Sequence, residues 1–182
     1  MIPAVKWKAV LAMGILVIVV IAAGCTGEGS QVPAPPPTDA IQPGQALTAV
    51  GDVTGDGIAG GTIDTITFTV GLIPGKGPVD MEKFSIYYAD TIATESLVPV
   101  KGFHGDPGPG EWGIMGVNNQ VGNANDRLED GEQVVIRINP RAYLPANRVA
   151  TIAIISPGST PLTIRRVAPP VILKENNILA PP

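Results

Sequence analysis

With 182 residues, 12 Lys+Arg against 16 Asp+Glu and a net charge of −4, the chain has room for one domain with appended segments and lacks the basic surface that nucleic-acid binding needs. One cysteine excludes an internal disulfide, and one histidine removes most metal and acid–base chemistry at once. Its 19 prolines and 22 glycines argue against a helical bundle, and with 45% hydrophobic but only 4% aromatic residues they favour short strands around a Val/Ile/Leu/Ala core.

The chain opens MIPAVKWKAVLAMGILVIVVIAAGC. Lys6 and Lys8 form a basic start, and Ala9 to Ala23 form an apolar run of the length of a signal-peptide core. The run ends in Ala22-Ala23-Gly24-Cys25, which resembles a lipobox, a motif cut before a cysteine that then receives a lipid. The stretch from Ala9 to Gly27 carries no charge and is also just long enough to cross a bilayer, so a retained membrane helix is the alternative. Either anchor, lipid on Cys25 or helix, places the remaining chain outside the membrane. Residues 1–25 thus read as signal or anchor. Residues 26–45, TGEGSQVPAPPPTDAIQPGQ, read as a semi-rigid Pro/Gly/Ser-rich spacer, and residues 46–182 as the domain.

The domain begins with GDVTGDGIAGGTID, residues 51–64. Hard cations such as Ca²⁺ take oxygen ligands from compact loops, with glycine at the sharp turn. Asp52, Thr54 and Asp56 match the first, third and fifth positions of such a loop, with Gly57 at the turn and the Ile58 carbonyl next. The acid that should close the cage is one residue late, at Asp64, because Ile63 holds its place. The other reading is a glycine-rich turn feeding a strand. A second oxygen-rich stretch holds Asn118, Asn119, Asn123, Asn125 and Asp126.

Strand patterns follow. In TIDTITFTVGLI the apolar residues are Ile63, Ile66, Phe68, Val70 and Leu72, spaced by two from Ile66 on, with Thr65, Thr67 and Thr69 facing the other way. After the turn PGKGP, KFSIYYA sends Phe84, Ile86 and Tyr88 one way and Tyr87 the other. EWGIMGV, EQVVIRIN, RVATIAIIS and TPLTIRRVA complete the set, and the piece from Pro140 to Asn147 reads as a turn. Seven or eight strands without crossover helices predict an all-β, Ig-like antiparallel β-sandwich.

GPVDMEKFSIYY, the Trp strand EWGI, DRLEDGEQVVIRI and LPANRVATIAIISPGSTPLTIRRVAPPVI occur in an order that resembles the outer domain of archaellins, the subunits of the archaeal swimming filament. The resemblance runs from Thr62 to Ile172. It implies an Ig-like sandwich with a structural role, no active site, and in some members a bound metal. The N-terminus departs from that family: archaellins keep a long apolar helix for the filament core, whereas here a lipobox-like cysteine leads into prolines that cannot continue a helix.

His104 lies near Asp106 and Glu111 but has no paired Ser or Cys nucleophile, so it reads as an exposed loop histidine. Arg165 and Arg166, like the two tyrosines, alternate across a strand and could serve a contact surface. Two roles follow as expectations. The first is a non-enzymatic archaeal cell-surface protein with protein partners in a filament or envelope lattice. The second is a tethered receptor or adhesin for an envelope protein or glycan.

Overall fold

The computed structural model describes residues 41–182, which form strands and connecting turns. In chain order the strands are β1 (Leu47–Gly57), β2 (Thr62–Leu72), β3 (Val79–Asp80), β4 (Ser85–Ala89), β5 (Thr94–His104), β6 (Glu111–Asn118), β7 (Arg127–Leu128), β8 (Gln133–Asn139), β9 (Leu144–Pro145), β10 (Val149–Ile155), β11 (Leu162–Val167) and β12 (Asn177–Leu179). A single 3₁₀ turn spans Met81–Lys83. The class is the expected all-β sandwich, with more strands than the seven or eight predicted. β3, β7, β9 and β12 are too short to display a period, and β5 is interrupted by Pro99 and Gly102.

Alternation sets the inward faces as expected. Ile63, Ile66, Phe68, Val70 and Leu72 of β2 are buried, as are Phe84, Ile86 and Tyr88 around β4 and Val134, Ile136 and Ile138 of β8. The three-residue step from Ile63 to Ile66 has a physical cause. Gly57 pairs with Ile63 and Asp56 with Thr65, so Asp64 is the extra residue of a β-bulge.

Hydrogen bonding runs through one continuous sheet in the order β11-β10-β4-β5-β6-β8-β2-β1-β12, with β9 beside the start of β2. β5 turns the corner between the two layers: its first half pairs antiparallel with β4, its second half with β6. That second pairing is the one parallel strand pair among the described residues, within an otherwise antiparallel sandwich. Parallel neighbours ordinarily need a long crossover. Here residues 105–110 double back over β6, held by Gly105 N–H to Ile114 O (3.0 Å) and Gly110 N–H to Asn139 O (2.6 Å). The crossing is close enough that a Cβ on Gly113 would collide with the Gly105 carbonyl. Just before it, Phe103 adopts φ 63°, rare for an aromatic residue, and its ring lies 6.0 Å from that of the buried Trp112.

The free edges, β1 and β11, are brought together by the C-terminal strap. β12 pairs with β1 through Leu179, Ile178 and Asn177, and Ala180 exchanges two backbone hydrogen bonds with Val167 (2.7 and 3.2 Å). At the opposite end Thr160 holds the incoming chain, its N–H on Gly44 O (3.1 Å) and its hydroxyl on Pro43 O (2.8 Å). Closing the sheet in this way removes most of its exposed edge.

The phrases DMEKF and LEDGE meet in a small side sheet, with Val79 opposite Leu128 and Asp80 opposite Arg127. Asp80 caps the 3₁₀ turn, accepting from Glu82 N–H (3.1 Å), and its bond to Lys83 Nζ (2.8 Å) holds its carboxyl below the usual value of 3.8. Leu128 plugs the core while Glu132, 1% exposed, ties down the loop before β8. It accepts hydrogen bonds from Gln120 Nε2 (2.8 Å), Val121 N–H (2.7 Å) and Glu129 N–H (2.9 Å).

Candidate interaction surfaces

The stretch read as the start of a calcium loop is strand from Gly51 to Gly57, and the turn is confined to Ile58–Gly61. Thr54 pairs with Thr67 and Asp56 with Thr65. A strand sets alternate side chains about 7 Å apart on a pleated face, whereas a calcium cage wraps its oxygens about 2.4 Å from one point. The oxygens also have other partners. Asp56 accepts Asn176 N–H (2.8 Å) and sits 3.8 Å from Arg137, while the Ile58 carbonyl accepts Gly61 N–H (2.8 Å). Asp52 is exposed in a second bulge of β1 beside Gly51 (φ 70°), and Asp64 is the bulge residue of β2. Among the described residues no three His, Cys, Asp or Glu side chains converge as a metal centre requires.

In the asparagine-rich stretch, Asn125 turns on its own backbone, accepting Arg127 N–H (2.8 Å). Asp126 bonds His104 Nε2 (2.9 Å), both side chains about half exposed. His104 therefore ends β5 against a carboxylate, rather than lying in a loose loop. It does not meet the other two acids beside it in sequence: Asp106 pairs with Arg137 (2.7 Å), and Glu111 accepts Gly108 N–H (2.8 Å). A hollow of about 350 Å³ is lined by His104, Gly116, Val117, Gln120, Ala124, Asn125 and Asp126, with no Ser, Cys, Thr or Lys among them. Cys25 and the segment expected to serve as signal or anchor lie outside the described residues.

The two outer faces of the sandwich differ in chemistry. On β1, β2 and β8, Arg137 binds Thr67 Oγ1 (3.0 Å) and Asp106 and approaches Asp56, so that face is fastened by its own charges. On β4, the first half of β5 (Thr94–Val98), β10 and β11, alternation points Ser85, Tyr87, Ser96, Val98, Thr151 and Ala153 outward, and Arg165 is the charged residue at an outward position; Lys101 is exposed farther along β5. Tyr88 is in the core and Tyr87 is 39% exposed, as the alternation predicts. Arg166 faces inward, 6% exposed, with Nη1 on the Arg165 carbonyl (2.8 Å). Depletion of charge around a Tyr and an Arg is the composition of protein contact surfaces.

No family model matches the chain, and no curated protein matches it in sequence. Solved structures do. Archaeal flagellin FlaB1 from Methanocaldococcus jannaschii superposes with a TM-score of 0.57 at 14% identity, over 73% of this chain and 95% of that one. The archaeal flagellum of Methanospirillum hungatei strain JF1 gives 0.52 at 16% identity, over 74% of this chain and 71% of that one. A weaker likeness, 0.43 at 15% identity, is to the archaellum periplasmic stator protein FlaG from Sulfolobus acidocaldarius, over 62% of this chain and 91% of that one. The shared property at these identities is the fold: the chain carries the β-sandwich of archaellins.

Proposed function

We propose that the protein is a non-enzymatic structural component of an archaeal cell surface, part of or accessory to a surface filament or envelope lattice. The observation that carries this reading is the likeness to an archaeal flagellin over 95% of that protein's length. The charge-poor face around Tyr87 and Arg165 supplies a surface suited to protein contact, and the sites considered for catalysis are spent on loop-fastening bonds. The anchor is the lipid on Cys25, and the Pro-rich segment holds the domain away from the membrane. That anchor suits an accessory protein better than a filament-core subunit, because proline ends the helix such a core requires.

The test is intact-mass measurement on protein taken from its native membrane, together with mass spectrometry of purified surface filaments. A chain starting at lipid-bearing Cys25 and absent from the filaments supports the tethered accessory. A chain that keeps its apolar segment and co-purifies with filaments replaces it with a filament subunit. A soluble intracellular protein overturns both.

A further inference from the structure

We infer that the protein pairs with a second copy of itself through the rim formed by the β1–β2 turn and the C-terminal strap. The strap is laid along that turn by three hydrogen bonds. Gly60 N–H donates to Ile172 O (2.8 Å), Gly57 N–H to Lys174 O (3.0 Å), and Asn176 N–H to the Asp56 carboxylate (2.8 Å). Ile178 then pairs with Thr54 on β1. The turn and the strap bonded to it carry four exposed aliphatic side chains: Ile58, Val171, Leu173 and Ile178, 63%, 68%, 58% and 61% exposed. Val171 and Leu173 flank Ile172, which is 2% exposed, so the two face outward together. Single exposed aliphatics need no explanation, but four on two segments bonded to each other are grounds for an apolar contact surface.

The rim is also pre-organised. Buried Asn177 accepts Leu173 N–H (2.7 Å) and donates to Leu173 O (2.8 Å) and Gly55 O (2.9 Å), locking the strap against β1. A surface already fixed loses little freedom on docking.

Charge points to a second copy as the occupant. Lys174 and Glu175, 82% and 65% exposed, form an ion pair with each other on the strap, Nζ to Oε1 3.5 Å. A patch with both signs adjacent is self-complementary. A two-fold axis lays Lys174 of each copy against Glu175 of the other, whereas a partner of one sign sets like charges face to face. Four aliphatic residues per copy fall short of the roughly 800 Å² per partner of a standard interface, so the pair is weak and concentration-dependent. A two-fold contact also closes on itself and builds no filament, which takes this inference beyond the surface role proposed above.

Sedimentation of the full chain in density-matched detergent, across micromolar to millimolar concentration, tests it. A reversible monomer–dimer equilibrium is expected. Leu173→Glu and Ile178→Glu should each weaken it about tenfold or more, with melting unchanged because both positions are exposed. Leu173→Ser serves as a milder check on folding. Lys174→Glu alone should weaken the pair, and adding Glu175→Lys should restore it. A chain that stays monomeric, or a dimer indifferent to both Glu substitutions, overturns the inference; the second result would move the contact to the apolar N-terminal run or another face. A charge swap that fails to restore pairing overturns the two-fold arrangement.

Discussion

Glu132 is a charged side chain almost wholly removed from water, and all three of its bonds go to the loop it ends. Glu132→Ala leaves two backbone N–H groups and one amide without their acceptor, an expected loss of about 2–3 kcal/mol in urea unfolding. The amides of Val121 and Glu129 should lose hydrogen-exchange protection first. Tyr88 offers a pH-linked test. Burial, and after it the Asp90 carboxylate, push its phenol well above the ordinary 10.0. The stability linked to it is whole below pH 10.0 and falls as pH rises further, because the unfolded chain ionises first. Tyr88→Phe should flatten that alkaline slope in melts followed by circular dichroism between about pH 9 and 12. Calcium is testable at the same scale. Since Asp56 and the Ile58 carbonyl already have partners, melting points in EDTA and in excess Ca²⁺ should agree within about 1 °C. A filled site at a hundred times its Kd would add about 2.7 kcal/mol and raise the melting point visibly.

The decisive elements are the two irregular ones, the β5 crossing and the C-terminal strap. Gly113 lies where residues 105–110 pass over β6, with the Gly105 carbonyl occupying the space a side chain would take. Gly113→Ala must push two backbones apart, at an expected cost of about 2–3 kcal/mol in denaturant unfolding. A much smaller loss would mean that the crossing relaxes freely. The strap brings Ile172 and Leu179 into the core, each 2% exposed, and covers part of the β1 edge. Deleting residues 172–182 forfeits about 1.5–3 kcal/mol for each buried side chain and frees backbone groups for pairing with other chains. The truncated protein should melt lower and scatter light on standing. A truncation that stays stable and monodisperse would show that the seam closes without the strap.

For the whole molecule, one sheet bends at β5 and nearly meets itself at the β1–β11 seam, so the core is enclosed without a disulfide and with few aromatic residues. Closure also divides the surface by chemistry. One face is fastened by Arg137 and its two acids, another is nearly free of charge, and the rim of the strap mixes exposed aliphatic residues with the Lys174–Glu175 pair. The fold is that of archaellins, and the proposed role rests on where these surfaces can meet other proteins.

Strand class, core faces and turns could be read from the chain because alternation is local: a period of two assigns Ile66, Phe68 and Val70 inward whatever lies across from them. Even the irregular step at Asp64 was visible as a broken period, and the order of the DMEKF and LEDGE phrases anticipated the archaellin likeness. Other features depended on residues far apart in sequence. The spacing of Asp52, Thr54 and Asp56 fits a loop and a strand equally well, and pairing with β2 made it a strand. His104 acquired Asp126 rather than its sequence neighbours because β5 ends beside the loop before β7. The parallel β5–β6 pair and the burial of Glu132 arise within single loops but follow no regular period, whereas the strap along β1 arises from long-range hydrogen bonds. No local period encodes such bonds, because they form only once the sheet has curved round to bring its ends together.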